Sequence, residues 1–322
     1  MTIATLKDSF KIFMTKPPSN SFRFIDLFAG IGGMRLAFER ADGRCVFSSE
    51  WDKYSQKTYA ANFGEIPHGD ITQIDERDIP KFDVLLAGFP CQPFSTIGKR
   101  QGFKHPTQGT LFHDVVRIMR HHRNKAFLLE NVAGLESHDG GRTLEVIETT
   151  LTDLKYKYDY RVLDAADFGV PQHRSRIYIV GHRSRKGGRV EMDWPTGKKK
   201  HKPIGPFIES GITNHSISKH LQDVYLFKKE DGRPQLIDSS TDHPVKTLVA
   251  SYHKIQRLTG TFVLDGETGI RLLTANECKA IMGFPKKFDI PVSRTQMYRQ
   301  MGNSVAVPVV GVLAKWIASE LQ

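Results

Sequence analysis

Four groups of residues in this chain could do chemistry together. Cys91 stands between prolines in Pro90-Cys91-Gln92-Pro93, directly after the apolar run 82–88. A free cysteine is more often a small buried hydrophobe than a nucleophile. Here a proline-fixed turn takes it out of the strand, where oriented N–H groups or cations could stabilise a thiolate. Glu130 ends another apolar run, "FLLEN". A carboxyl in that position must be paired or held protonated, which makes it a candidate general acid. Arg174 and Arg176 are two residues apart, so on a strand they share a face and could grip a polar ring or a phosphate. "FAGIGG" (28–33) places Gly30 and Gly32 at the end of a strand and the start of a helix, where free N–H groups meet a ligand. Arg35 fills the place of the third glycine of a dinucleotide fingerprint, which disfavours a nicotinamide or flavin. Glu50, twenty residues after Gly30, is placed to bind ribose hydroxyls, and Trp51 to lie against an adenine. A nucleoside cofactor without a pyrophosphate fits, and S-adenosylmethionine is the obvious one.

The elements that must position these groups follow from hydrophobic periodicity. Strands are expected at 23–28, 44–50, 82–88, 125–131 and 176–182. Helices are expected at 34–41, 53–63, 110–122 and 143–154. Strand and helix in that rhythm mean a doubly wound, mostly parallel Rossmann-like α/β sheet, with sites at the carboxyl ends of its strands. Beyond Arg183 the periodicity weakens and Gly, Pro, Lys and His cluster. The chain therefore divides into a catalytic and cofactor domain (1–183), a smaller irregular recognition domain (184–270) and a C-terminal segment (271–322) returning to the first. Helix is expected again at 274–284, where Thr274 is an N-cap with Glu277 three residues on, and the tail 304–322 is apolar enough to pack back on the first domain.

Composition narrows the setting. The 322 residues carry a net charge of +11, 39% hydrophobic and 25% charged residues, and a pI near 9.5. A basic field concentrated in 183–202 and 99–104 favours a polyanionic partner, nucleic acid above all. No apolar run approaches the roughly 20 residues that cross a bilayer, and the N-terminus has no signal-peptide pattern. The three cysteines, Cys45, Cys91 and Cys278, are widely spaced and form no CxxC pair. That argues against a disulfide scaffold or a metal centre and for a reducing cytoplasm. Cys45 and Cys278 read as structural.

Taken in order, these motifs resemble those of the C5-cytosine DNA methyltransferases. "FIDLFAGIGGMR" (24–35) looks like the cofactor motif and "SSEW" (48–51) the ribose-binding motif. "GDI" (69–71) resembles the segment that meets the adenine, and "GFPCQPFS" (88–95) the nucleophile motif. "LENV" (129–132) looks like the acid motif and "QHRSRIYIVG" (172–181) the arginine motif. "LTANECKAIMGFP" (273–285) and "MGNSVAVPVV" (301–310) resemble the two C-terminal motifs. The resemblance spans 22–183 and about 244–320.

It implies a DNA cytosine-5 methyltransferase, of the kind that serves as the modification enzyme of a bacterial restriction-modification system. Cys91 would add to C6 of a flipped-out cytosine, Glu130 would serve N3, and Arg176, helped by Arg174, would hold O2. The cofactor pocket would comprise Phe28, Ala29, Gly30, Gly33, Glu50, Trp51, Asp70, Ile71, Pro90, Asn303 and Ser304. Gln92, with Ser95, Lys99 and Arg100 in the loop 95–109, would meet the DNA as the loop closes. In the recognition region, Arg233, Tyr252, His253 and Lys254, with Gln235, Gln256 and Arg257, are candidate contacts. The expected partner is double-stranded DNA, bound by a monomer in a bacterial cytoplasm, near the nucleoid. Some relatives methylate tRNA and carry a Cys-Phe-Thr signature, which is missing here. A silent DNA-binding scaffold would not need Cys91, Glu130 and both arginines, and a small-molecule thiol enzyme would not need the basic loop.

Overall fold

The computed structural model describes residues 21–90, 111–198 and 200–321. Its framework is a seven-stranded sheet in the order β2-β1-β3-β4-β6-β5-β7. The first part alternates β1 (Arg23–Leu27), α1 (Gly33–Glu39), β2 (Arg44–Ser49), α2 (Lys53–Phe63), β3 (Val84–Ala87), α3 (Leu111–His122), β4 (Ala126–Val132) and α4 (Arg142–Asp153). Strands β1 to β4 are mutually parallel. They have few polar positions because helices cover both faces: α1 lies on one, α3 and α4 on the other.

The sequence reading departs from the structure in the second half of the sheet. A strand not expected from the pattern, β5 (Tyr156–Asp164), directly follows α4. The next strand, β6 (Ser175–Arg183), inserts between β4 and β5 and runs antiparallel to both. The short β7 (Gly188–Arg189) then adds in parallel to β5. As a result, the amino end of β6 meets the carboxyl ends of β4 and β5 on one edge. The residues of "QHRSR" therefore arrive beside those of "LEN".

The recognition region is sparse in regular structure: a one-turn helix α5 (Lys219–Leu221) and a two-stranded pair, β8 (Gln235–Ile237) with β9 (Thr261–Val263). Its apolar residues are not isolated. Trp194, Ile204, Leu226 and Phe262 belong to the same buried cluster as Phe24, Met34 and Leu86 of the sheet domain. The chain then returns through α6 (Ala275–Met282), α7 (Arg294–Asn303) and α8 (Val307–Glu320), and α8 packs on α1. The expected capping box is present at α6, with Thr274 Oγ1 accepting from the Glu277 amide and Glu277 from the Thr274 amide. Glu277 also binds the fully buried Arg271 at 2.8 Å. One carboxylate thus caps a helix and neutralises a buried cation, and losing one partner of such a pair strands the other.

Candidate active site

Each candidate side chain is placed by a strand end. Glu130 stands on β4 opposite Tyr178 of β6, and Val132 opposite Arg176. Glu130 and Arg176 are therefore diagonal neighbours on one face of the antiparallel pair. Arg176 Nε lies 3.3 Å from Glu130 Oε1, with side chains 16% and 12% exposed. Burial pushes the Glu130 carboxyl above its ordinary range, against the pull of Arg176 and then Arg174. It is a half-sheltered acid beside a cation, able to hold a proton and share it. A Cβ on Gly88, at the end of β3, would come 3.6 Å from Glu130 Oε2. The acid thus borders the backbone leading into Phe89-Pro90-Cys91. Asn131, on the opposite face, donates to the Phe89 carbonyl at 2.9 Å and fixes the start of that turn. Sequence reading took Asn131 only as Glu130's neighbour; its amide, buried at a strand end, needs a partner.

Arg174 does something else. It precedes β6, and its guanidinium donates to the carbonyls of Leu248 (3.1 Å), Gly302 (3.0 Å) and Ser304 (2.6 Å). Burial and then the Arg176 charge push it down to about 10. The expected shared grip on a base is revised: Arg174 ties three chain segments together, and Arg176 alone pairs with the acid.

The glycine loop forms a second part of the same edge. Gly30 has φ +56°, and a Cβ there would meet nothing within 4 Å, so the space above it is open. At Gly33 a Cβ would lie 2.9 Å from Ser304 Oγ and from Val305 Cγ2, so the returning segment seals the loop's far side. Glu50, at the end of β2, accepts from the Gly30 amide at 2.7 Å and the Asp52 amide at 2.8 Å. Burial raises its carboxyl, and these amides hold it back. Trp51 is 78% exposed beside it, an unusual position for an indole with no ligand role. Phe28 carries φ +56° at the loop's start, a conformation that a non-glycine residue adopts only under local constraint. Asp70 is exposed and caps the turn after β2's extension, where Glu50 and His68 share a backbone bond. Ile71 is buried; Pro90 and Asn303 are exposed. Open space above Gly30, with a carboxylate and an exposed indole at its rim, fits a nucleoside-bearing cofactor.

As a sequence, residues 22–319 match C-5 cytosine-specific DNA methylase. The chain belongs to that family. The type II methyltransferase M.MspI of Moraxella sp is 59% identical over 304 residues, covering 94% of this chain and 72% of that protein. M.BsuFI of Bacillus subtilis is 59% identical over 292 residues, covering 90% and 71%. In fold, the Dnmt2 methyltransferase of S. pombe superposes with a TM-score of 0.77 at 21% identity, covering 94% of this chain and 99% of that one.

Cys91, Gln92, Ser95, Lys99 and Arg100 lie outside the described residues. Arg233 and Lys254 are exposed and His253 is half-buried. Tyr252 requires a correction. It is 3% exposed, its hydroxyl donates to the Thr261 carbonyl (2.6 Å) and accepts from the Leu273 amide (3.1 Å), and it packs edge-on against Tyr298. It is a core residue, as its apolar ring demands once the C-terminal helices cover it. Arg257 is buried as well, bonded to Asp231 and to the Leu226 carbonyl, and Gln235 accepts from Lys246 and Thr261. Cys45 and Cys278 are structural: burial pushes the Cys45 thiol up to about 12, and Cys278 is fully buried.

Proposed function

We propose that the methylase modifies C5 of a flipped-out cytosine in duplex DNA, as the modification enzyme of a type II restriction-modification system. The observation that carries this reading is the Glu130–Arg176 pair, held beside the backbone that leads to Cys91. The cytosine C5 is a poor nucleophile. Addition of the Cys91 thiolate to C6 forms a C–S bond and makes C5 enamine-like. Glu130, its carboxyl raised by burial, hydrogen-bonds N3 and takes up the charge that addition creates. Arg176 holds O2.

S-adenosylmethionine, when bound, supplies an electrophilic methyl group. Gly30, Gly33, Phe28, Ala29 and Ile71 would line its site, with Glu50 at the ribose and Trp51 and Asp70 at the base. Pro90, Asn303 and Ser304 would close it. Once C5 carries the methyl group, loss of the C5 proton to solvent water breaks the C6–S bond and restores aromaticity. Flipping costs a few kcal/mol, offset by contacts from Gln92, Ser95, Lys99 and Arg100, while Arg233, His253 and Lys254 face the duplex. We keep the division into 1–183, 184–270 and 271–322, a monomer, and a cytoplasmic setting near the nucleoid as parts of the same reading.

The test is incubation with methyl-labelled S-adenosylmethionine and duplex DNA, tRNA or neither, for wild type and Cys91→Ser. Label in DNA that the variant loses is expected; label in tRNA only, or none, would overturn the reading.

A further inference from the structure

Two histidines at the site's edge are unaccounted for by this chemistry. Asp164 is the last residue of β5, two strands out from β4 on the carboxyl edge that also holds Glu130 and Arg176. Its Oδ2 lies 2.9 Å from His173 Nδ1, while its Oδ1 accepts the amides of Ala166 (3.1 Å) and Arg174 (2.9 Å). In the turn 165–168, Asp167 Oδ1 lies 2.8 Å from His201 Nε2. The two rings meet edge to face, with centroids 5.2 Å apart and planes at 80°. Both remain accessible, the His173 side chain at 50% and that of His201 at 32%. His173 is also fixed by its backbone, whose amide donates to Val245 and whose carbonyl accepts from Thr247 Oγ1. The pair therefore sits on the seam between the sheet and the recognition region.

We infer that His173 and His201 form a DNA-phosphate-binding pair whose hold depends on protonation, an inference that rests on the reading as a DNA methylase. A carboxylate only accepts, so the ring nitrogen on each aspartate must carry the hydrogen. Burial opposes the charge on Asp164, but the bonds from His173 and the two amides outweigh it and keep it ionised. His173 Nε2 and His201 Nδ1 then have no hydrogen-bond partner among the described residues. In a neutral ring that second nitrogen is a bare lone pair, which repels a phosphate oxygen. In an imidazolium it is a charged donor. The charged groups around the pair are Asp164, Asp167, each other's ring, Lys202, which packs against Gly169, and the exposed Lys198 and Lys246 on the segments bonded to Asp167 and His173. Each second proton adds one positive charge to this patch. Two imidazolium rings at 5.2 Å repel each other, and a phosphodiester shared between them relieves that repulsion. A duplex that delivers a base to Glu130 and Arg176 must pass along this edge.

The test is binding of a fluorescein-labelled mixed-sequence DNA duplex by anisotropy, without cofactor, from about pH 8.5 to about pH 6, the range in which histidine changes charge. Wild type is compared with His173→Gln/His201→Gln. The two should bind equally at the alkaline end, which also shows that the variant is folded. Toward the acid end wild type should gain roughly tenfold over the variant, as two charge-assisted contacts to phosphate form. The log–log salt slope there should be steeper in wild type by about 1. Parallel pH profiles would overturn the inference, as would a variant weakened equally at every pH. Methyl incorporation into DNA by wild type is scored separately. Its absence defeats the underlying reading, whereas parallel profiles with incorporation intact defeat only the histidine pair.

Discussion

Arg176 Nε and Glu130 Oε1 lie 3.3 Å apart across the antiparallel β4–β6 pair. A cation held this close would normally pull a carboxyl down, yet burial wins and the Glu130 carboxyl is raised. The balance leaves a carboxyl raised by burial with a cation still beside it.

Glu130→Gln should keep the shape and lose the proton. The expected outcome is a fall in methyl transfer of about 10²–10⁴-fold with duplex binding retained. Initial rates and anisotropy on the same preparation check it. If Glu130 only braced Arg176, the amide would retain most of the rate.

The carboxylate and indole at the open rim of the cofactor loop give a different expectation. Glu50→Ala leaves the amides of Gly30 and Asp52 without their acceptor. At about 1–3 kcal/mol for an unmet buried group, S-adenosylmethionine affinity should fall roughly 10–100-fold. Trp51, at 78% exposure, supports no core, so Trp51→Ala should leave unfolding free energy within about 0.5 kcal/mol of wild type. Its cofactor affinity should still drop several-fold. Calorimetric titration beside thermal melts separates the two.

The contrast between Glu130 and Arg174 explains how far the sequence could be read. Local signals were enough for elements set by local physics. The helix at 53–63 and the Thr274–Glu277 capping box stand where periodicity and cap chemistry put them. Strand direction is not a local property: nothing in "RIYIVGH" says that it enters the sheet backwards. β5 was missed although its tyrosines alternate with Lys157, Asp159 and Arg161 as in a half-buried strand, and α7 because it has too few apolar residues to show a helical stripe. Arg174 and Arg176 are indistinguishable by type and spacing. They part only because the partners of Arg174, at Leu248, Gly302 and Ser304, arrive from far along the chain. Tyr252 looked like a groove contact for the same reason.

Arg174 and Arg176 should consequently separate stability from catalysis. Arg174→Ala strips three carbonyls of their donor, and a loss of about 2–4 kcal/mol is expected. Faster amide exchange should appear around 246–250 and 302–306. Arg176→Ala should melt close to wild type and fail in methyl transfer. Equal melting losses for the two would contradict the division of labour drawn from their partners.

Asp26 offers a pH test of the buried floor beneath the cofactor loop. It is 1% exposed with Oδ2 unpartnered among the described residues. Burial, opposed by the Arg35 amide and charge, raises it from 3.8 to about 7. Between those values the folded protein holds a proton that the unfolded chain has released, so stability falls as pH rises through that window. Above about 7 the penalty is complete, on the order of 4 kcal/mol. Asp26→Asn keeps an acceptor for the amide and cannot ionise. Its melting temperature should exceed wild type at alkaline pH and converge toward it as pH falls to about 4, the usual carboxyl range. A constant difference across the range would sink the assignment.

The role given to Cys91 has a chemical signature of its own. If its thiolate adds to C6 and is expelled only when the C5 proton leaves, then fluorine at C5 blocks the final step, because it cannot depart as a proton does. Duplexes containing 5-fluorocytosine in the target context should therefore accumulate a covalent, denaturant-resistant adduct, and only with S-adenosylmethionine present. Cys91→Ser should form none. Glu130→Gln should form it slowly, since the same carboxyl that assists turnover assists the addition itself. Denaturing electrophoresis of labelled duplex reads all three. A Glu130→Gln protein that traps as fast as wild type would move the acid's contribution to a later step, and a wild type that fails to trap would remove Cys91 from the chemistry altogether.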